Sequence, residues 1–240
     1  MAKSKTKPVA LVVGVGPGLG AALIRRFARE GMGVAIAARR LDKLRDLAAE
    51  TGGRAYACDA TSEISVDDLF AAVERDLGVP RLVVFNAGAF VRKPVVELTP
   101  AEVESAWRAC CLGGFLVGRA AARAMLPGGP GTILLTGATA ALRGSANFAA
   151  FAIGKFGLRA LAQSMARELG PQGVHVAHTI IDGAIDTAWI AENFPARYKL
   201  KSEDGILNPE HIADAYWGLH AQPRDAWTHE LDLRPWMEAW

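Results

Sequence analysis

The chain has 240 residues and a mass of 25.5 kDa, with 51% hydrophobic and 22% charged residues. This is an ordinary soluble globular composition, in a chain long enough to bury a core without metals or disulfides. A formal net charge of only +2, from 27 Lys and Arg against 25 Asp and Glu, excludes a nucleic-acid binder held by bulk charge.

Residues 9–13 form a short β-branched run, the first expected strand. Gly14 cuts this run before it reaches the length of a leader core or a membrane span, so neither is expected after the basic start Met1 to Lys7. The strand enters Gly14-Val-Gly16-Pro-Gly18-Leu19-Gly20 and a helix over residues 19–30. Glycines at such a strand-to-helix turn allow a sharp bend and close approach of backbone to a pyrophosphate, with the helix N-terminus facing the charge. The second strand, 34–38, ends at Arg39 and Arg40 rather than at a carboxylate; the first acidic residue is Asp42. Two guanidiniums there suit a ribose 2′-phosphate, so NADP(H) is expected over NAD(H).

The alternation continues. Residues 54–58, 82–85, 132–136 and 174–181 read as strands, and 42–50, 65–76, 100–125 and 148–169 as helices. Thr99-Pro100 is a good helix start, an N-cap residue followed by proline at the first helical position. Most strands are apolar on both faces, as in a sheet covered on both sides. Strand–helix alternation without repeats or linkers predicts one domain over 1–240, of class α/β, a Rossmann-type doubly wound fold with a mainly parallel sheet. The tail contains Trp227, Trp236 and Trp240, and residues 228–233 alternate well enough for a last edge strand. Those tryptophans either mark a self-association surface or pack back on their own domain.

Cys58, Cys110 and Cys111 cannot build a disulfide framework or a four-cysteine metal site. A reducing cytoplasm is the natural setting. Cys110 and Cys111 lie in an apolar helix and read as core. His175 and His178, three apart on one strand, face opposite sides, so no metal is expected.

Taken together, these features resemble the short-chain dehydrogenase/reductase family over nearly the whole chain. Gly14, Gly18 and Gly20 match its Gly-x-x-x-Gly-x-Gly turn, and Asp59, with Ala60 beside it, matches its adenine-contacting Asp. Asn86-Ala87-Gly88 matches its Asn-Ala-Gly motif, and Gly183 and Thr187 match the segment that meets the nicotinamide carboxamide. The resemblance implies a nicotinamide cofactor and homodimers or homotetramers.

The catalytic end departs from that pattern. The family's Asn, Ser and Tyr positions hold Cys111, Ala138 and Phe151; only its Lys remains, as Lys155. The resemblance gives Lys155 a second task, holding the nicotinamide ribose. Asp182 stands where the family has proline and reads as an acid, a cation anchor or a helix cap. Thr136, Thr139, His178 and Tyr198 are further groups for holding or protonating a substrate, although packing accounts for a strand Thr or His equally well.

These residues imply an NADP(H)-dependent oxidoreductase of small organic substrates that works without the Tyr donor, on an imine, an iminium or an activated C=C bond. The alternatives are an inactive NADP(H)-binding sensor or partner subunit and, further off, a non-redox enzyme on the same fold. Neither nucleic acid nor membrane is expected as a partner.

Overall fold

The computed structural model describes residues 7–238, so Trp240 and all but the last residue of the basic start lie outside the described residues. The strands are β1 Val9–Val13, β2 Gly33–Ala38, β3 Arg54–Ala57, β4 Pro80–Phe85, β5 Gly131–Thr136, β6 Val174–Ile181 and β7 Glu230–Leu233. They form a seven-stranded sheet in the order β3-β2-β1-β4-β5-β6-β7, in which every pairing is parallel. The expected Rossmann-type α/β architecture is therefore present. The last strand begins at Glu230 rather than at Thr228.

Helices α1 Leu19–Arg29, α2 Arg45–Thr51, α3 Glu63–Asp76, α4 Pro100–Trp107, α5 Gly113–Met125, α6 Ala149–Leu169, α7 Ala188–Asn193, α8 Pro195–Tyr198 and α9 Pro209–His220 complete the fold. Strand alternation splits the core into two layers. Leu11, Val13, Val83 and Phe85 face α3, α5 and α6, where they meet Val117, Met125 and Leu158. Ala10, Val12, Ile36 and Val84 face α1 and α9, where they meet Leu23, Phe27 and Tyr216. The helix expected over 42–50 opens as a 3₁₀ turn, Leu41–Leu44, and continues as α2.

Thr99 opens α4 as the sequence predicts. Its hydroxyl accepts from Glu102 N at 3.2 Å, and the Glu102 carboxylate accepts from Thr99 N at 2.8 Å. The helix expected over 100–125 is, however, interrupted. A π-helical turn, Arg108–Leu112, joins α4 to α5 and inserts one residue into the register. The run Pro100–Gly128 is long and apolar enough to cross a bilayer by composition, but it lies against the sheet as a core helix.

Strand order reverses between β1 and β4, since β2 lies on one side of β1 and β4 on the other. In such sheets the crevice outside the carboxyl ends of the strands at this switch point is where ligands bind.

Candidate active site

Two cavities of about 760 and 690 Å³ occupy that crevice and share Gly14, Gly16, Asn86, Ala87, Gly88 and Ala89 as walls. They form one cleft with two halves.

The first half is built by the β1–α1 turn and the ends of β2 and β3. Gly14 has φ +93°, and a Cβ there would strike Ala87 N at 2.3 Å, so only glycine permits this approach. Asn86 fixes the opposing loop, its side-chain amide donating to Gly14 O at 3.0 Å. The α1 N-cap is Gly18, and no side chain caps the helix. Arg39 and Arg40 line this half, and with them Lys43, which the sequence reading missed. No side chain of the three makes a hydrogen bond or ion pair among the described residues. Asp59 and Ala60 line the same wall. Asp59 accepts from Thr61 N and Thr61 Oγ1 at 2.9 and 2.8 Å, and these bonds, aided by the charges of Arg39 and Arg108, hold its carboxyl below the usual range.

The second half contains Gly18, Leu19, Gly20, Ala138, Phe151, Lys155, Asp182, Gly183 and Thr187. Gly18 lets the segment after β6 close on the glycine turn, since a Cβ there would meet Thr187 Cγ2 at 2.6 Å. Thr187 caps α7 by accepting from Ile190 N at 3.3 Å. Lys155 is only 5% exposed and donates to Thr136 O at 2.7 Å. Burial pushes its ammonium below the ordinary lysine value. One turn earlier on α6, Phe151 presents its ring to Lys155 Nζ, 5.8 Å from the centroid, and carries no group that can donate a proton.

Several candidate residues have other duties. Asp182 is neither a helix cap nor a free acid. It is 2% exposed, ion-paired with Arg234 at 3.1 Å, and accepts a hydrogen bond from Thr139 Oγ1. Arg234 lies 52 positions away in the sequence, with no local signal to announce it. Thr136 turns its hydroxyl into the other layer, 2.9 Å from the buried Tyr216 hydroxyl. His178 is buried behind Lys155 and meets Glu230 at 3.3 Å, and burial pushes it down to about 4. Tyr198 is not a wall of the cleft; Lys201 sits over its ring at 5.5 Å. Trp227 stacks on His175 at 4.8 Å, packing on its own domain, whereas Trp236 is exposed.

Cys111 is displaced from the cleft. The π turn directs it toward α6, where a Cβ on Gly157 would meet Cys111 Sγ at 2.7 Å. It is Cys110 that lies beside Gly88 and Lys155, buried and accepting weakly from Ala89 N at 3.5 Å. The sequence reading also missed Phe90, Phe148 and Trp189, whose rings line the second half.

The short-chain dehydrogenase family model matches residues 8–197. The chain belongs to the short-chain dehydrogenase family. Among solved structures of this family, a short-chain dehydrogenase from Rhodopseudomonas palustris is 40% identical with a TM-score of 0.81, covering 95% of this chain and 99% of that one. An alcohol dehydrogenase from the archaeon Thermococcus sibiricus, solved with 5-hydroxy-NADP, is 28% identical with a TM-score of 0.84, covering 97% and 98%. D-threitol dehydrogenase of Mycolicibacterium smegmatis is 30% identical over 217 residues, covering 86% of this chain and 83% of the relative. Short-chain dehydrogenases are oxidoreductases, and this chain shares the fold from β1 to its C-terminal edge.

Proposed function

We propose that the chain binds NADP(H) along the cleft and catalyses hydride transfer to or from a small organic substrate without a phenolic proton donor. The carrying observation is that Phe151 faces Lys155 where a donor is expected, while the binding half keeps its full set of walls. The residues fit the cofactor: an open glycine turn at an uncapped helix N-terminus favours phosphate, and Arg39, Arg40 and Lys43, which make no ion pair among the described residues, are cations on the same wall suited to a 2′-phosphate. When bound, the nicotinamide supplies or accepts the hydride. Lys155 and Thr187 then hold the nicotinamide end, and the aromatic walls exclude water from it.

Ala138 offers no hydroxyl to a substrate oxygen, so a simple ketone would find neither an anchor nor an acid. An imine, an iminium or an activated C=C bond makes smaller demands on a proton donor at oxygen. Of these, the activated C=C bond is favoured, because Arg234 and Thr139 already satisfy Asp182, the group that would attract a cation.

The test is titration of NADPH and NADH into the protein by tryptophan quenching. NADPH should bind more tightly by at least about tenfold, and the R39A/R40A double variant should lose that preference. Binding of neither dinucleotide overturns the proposal. Tight NADPH binding without turnover on imines or activated C=C substrates marks a sensor instead.

We further propose that the chain works in the reducing cytoplasm, where Cys58, Cys110 and Cys111 stay free thiols, and that it self-associates as a dimer or tetramer. Trp107, Phe115, Ile153 and Phe156 form a partly exposed apolar surface on α4, α5 and α6, the kind of face that copies cover. Sedimentation at twice or four times the 25.5 kDa chain mass checks it.

A further inference from the structure

The charges lining the second half of the cleft are Lys155, Asp182, Arg143, Arg197 and Glu238. Four have partners. Asp182 is held by Arg234 and Thr139, Arg197 pairs with Glu238 at 3.2 Å, and Lys155 donates to Thr136 O. Arg143 alone makes no side-chain hydrogen bond or ion pair among the described residues.

Its place is fixed from behind. The 3₁₀ turn Thr139–Ala141 follows β5, and Arg143 N closes it by donating to Thr139 O at 3.2 Å. Its backbone is thus held five residues beyond Ala138, and Arg143 and Ser145 both line the cavity.

The same cavity carries an apolar surface of flat rings. Phe90 packs against Phe148, Phe151 and Trp189 at centroid distances of 5.5, 5.6 and 5.5 Å, yet 47% of its surface remains exposed, as does 47% of Trp189. Ring faces left open in a cavity wall favour a flat, unsaturated ligand. The unbalanced charge beside them is positive, and a guanidinium receives a carboxylate in two parallel hydrogen bonds.

We propose that the substrate is a flat aromatic or conjugated molecule bearing a carboxylate, with Arg143 as the anion anchor. This rests on the reading of the second half of the cleft as the hydride-transfer site, and it names the charge of what enters there. Arg143 receives the carboxylate and so acts in binding and orientation.

Calorimetric titration of trans-cinnamate, cinnamamide and 3-phenylpropylamine at low ionic strength tests the proposal, each with and without NADP⁺. Cinnamate should bind more tightly than the amide by about five- to tenfold, a modest factor because the exposed guanidinium is partly screened. The amine should bind most weakly, and added salt should shrink the difference. R143Q should bring cinnamate to parity with the amide, and R143K should restore part of the preference, while NADPH affinity stays unchanged. Parity in the unmodified protein, a preference that survives R143Q, or no binding of any of the three at millimolar concentration overturns the proposal. The titrations without NADP⁺ read the charge preference even where no dinucleotide binds, so failure of the anchor and failure of the cofactor reading are distinguishable.

Discussion

The two halves of one cleft have diverged to different extents. In the phosphate half, function resides in backbone shape and fixed charge: Gly14 against Ala87, Asn86 against Gly14, and the cations Arg39, Arg40 and Lys43. In the catalytic half, the family's function resides in hydroxyl and amide side chains, and here Ala138 and Phe151 carry no polar tip and Cys110, not Cys111, lies beside Lys155. The walls of both halves are nevertheless complete. On the proposed reading, binding geometry and proton chemistry separate in this fold, because the first depends on main chain that packing enforces and the second on side-chain tips that packing tolerates losing.

The strongest way to break that contrast is to restore the lost tips. The A138S/F151Y double variant places a hydroxyl at the end of β5 and a phenol one turn before the buried ammonium of Lys155. Ketone reduction with NADPH should rise by about 10²- to 10⁴-fold, the usual worth of a positioned general acid. No gain, with NADPH binding intact, would show that the scaffold has changed as well as the tips, and the π turn Arg108–Leu112 would be the first suspect.

That turn also marks where the sequence stopped being legible. Strands were readable because β-branched runs between glycine turns have few alternatives, and β1 and β6 fall on the residues the pattern predicts. Matching the family's Asn position by residue count put Cys111 there, whereas across the π turn it is Cys110 that lies beside Lys155. Helix α9 carried a signal of the same kind as Thr99-Pro100, with Asn208 capping and Pro209 at the first position, and went unread. The cleft walls were legible because many of their residues sit at strand ends in chain order. The Asp182–Arg234 pair was not, since only the return of the chain beside β6 brings the two together.

A smaller effect sharpens the comparison by asking whether Asp182 belongs to the chemistry or to the scaffold. D182N should lower stability by about 2 kcal/mol, less than a fully buried broken pair costs because Asp232 still holds Arg234 at 2.6 Å. NADPH affinity should change by less than about twofold, and kcat/KM on an activated C=C substrate by less than about tenfold. A loss of about a hundredfold or more in kcat, with the melting temperature unchanged, would make Asp182 the missing acid.

The smallest effect concerns the support behind the catalytic half. Arg159 clamps Glu230 with two bonds of 2.7 Å, Glu230 meets His178 Nδ1 at 3.3 Å, and the charges of Lys155 and Arg159 oppose a charged imidazole. Burial pushes His178 down to about 4, against an unfolded value of about 6.5. The unfolded chain therefore binds the extra proton first, and this contribution to stability is full above about pH 6.5 and lost as pH falls toward 4. His175 and His220, also lowered by burial, act in the same direction, so the variant difference isolates His178. Between pH 7 and 5 the melting temperature of the parent should fall by roughly 4 °C more than that of H178N. Parallel curves would mean that the unfolded chain and the folded one protonate His178 alike. The packed environment behind Lys155 would then be wetter than its contacts imply, and the catalytic half would be altered in its scaffold as well as in its side-chain tips.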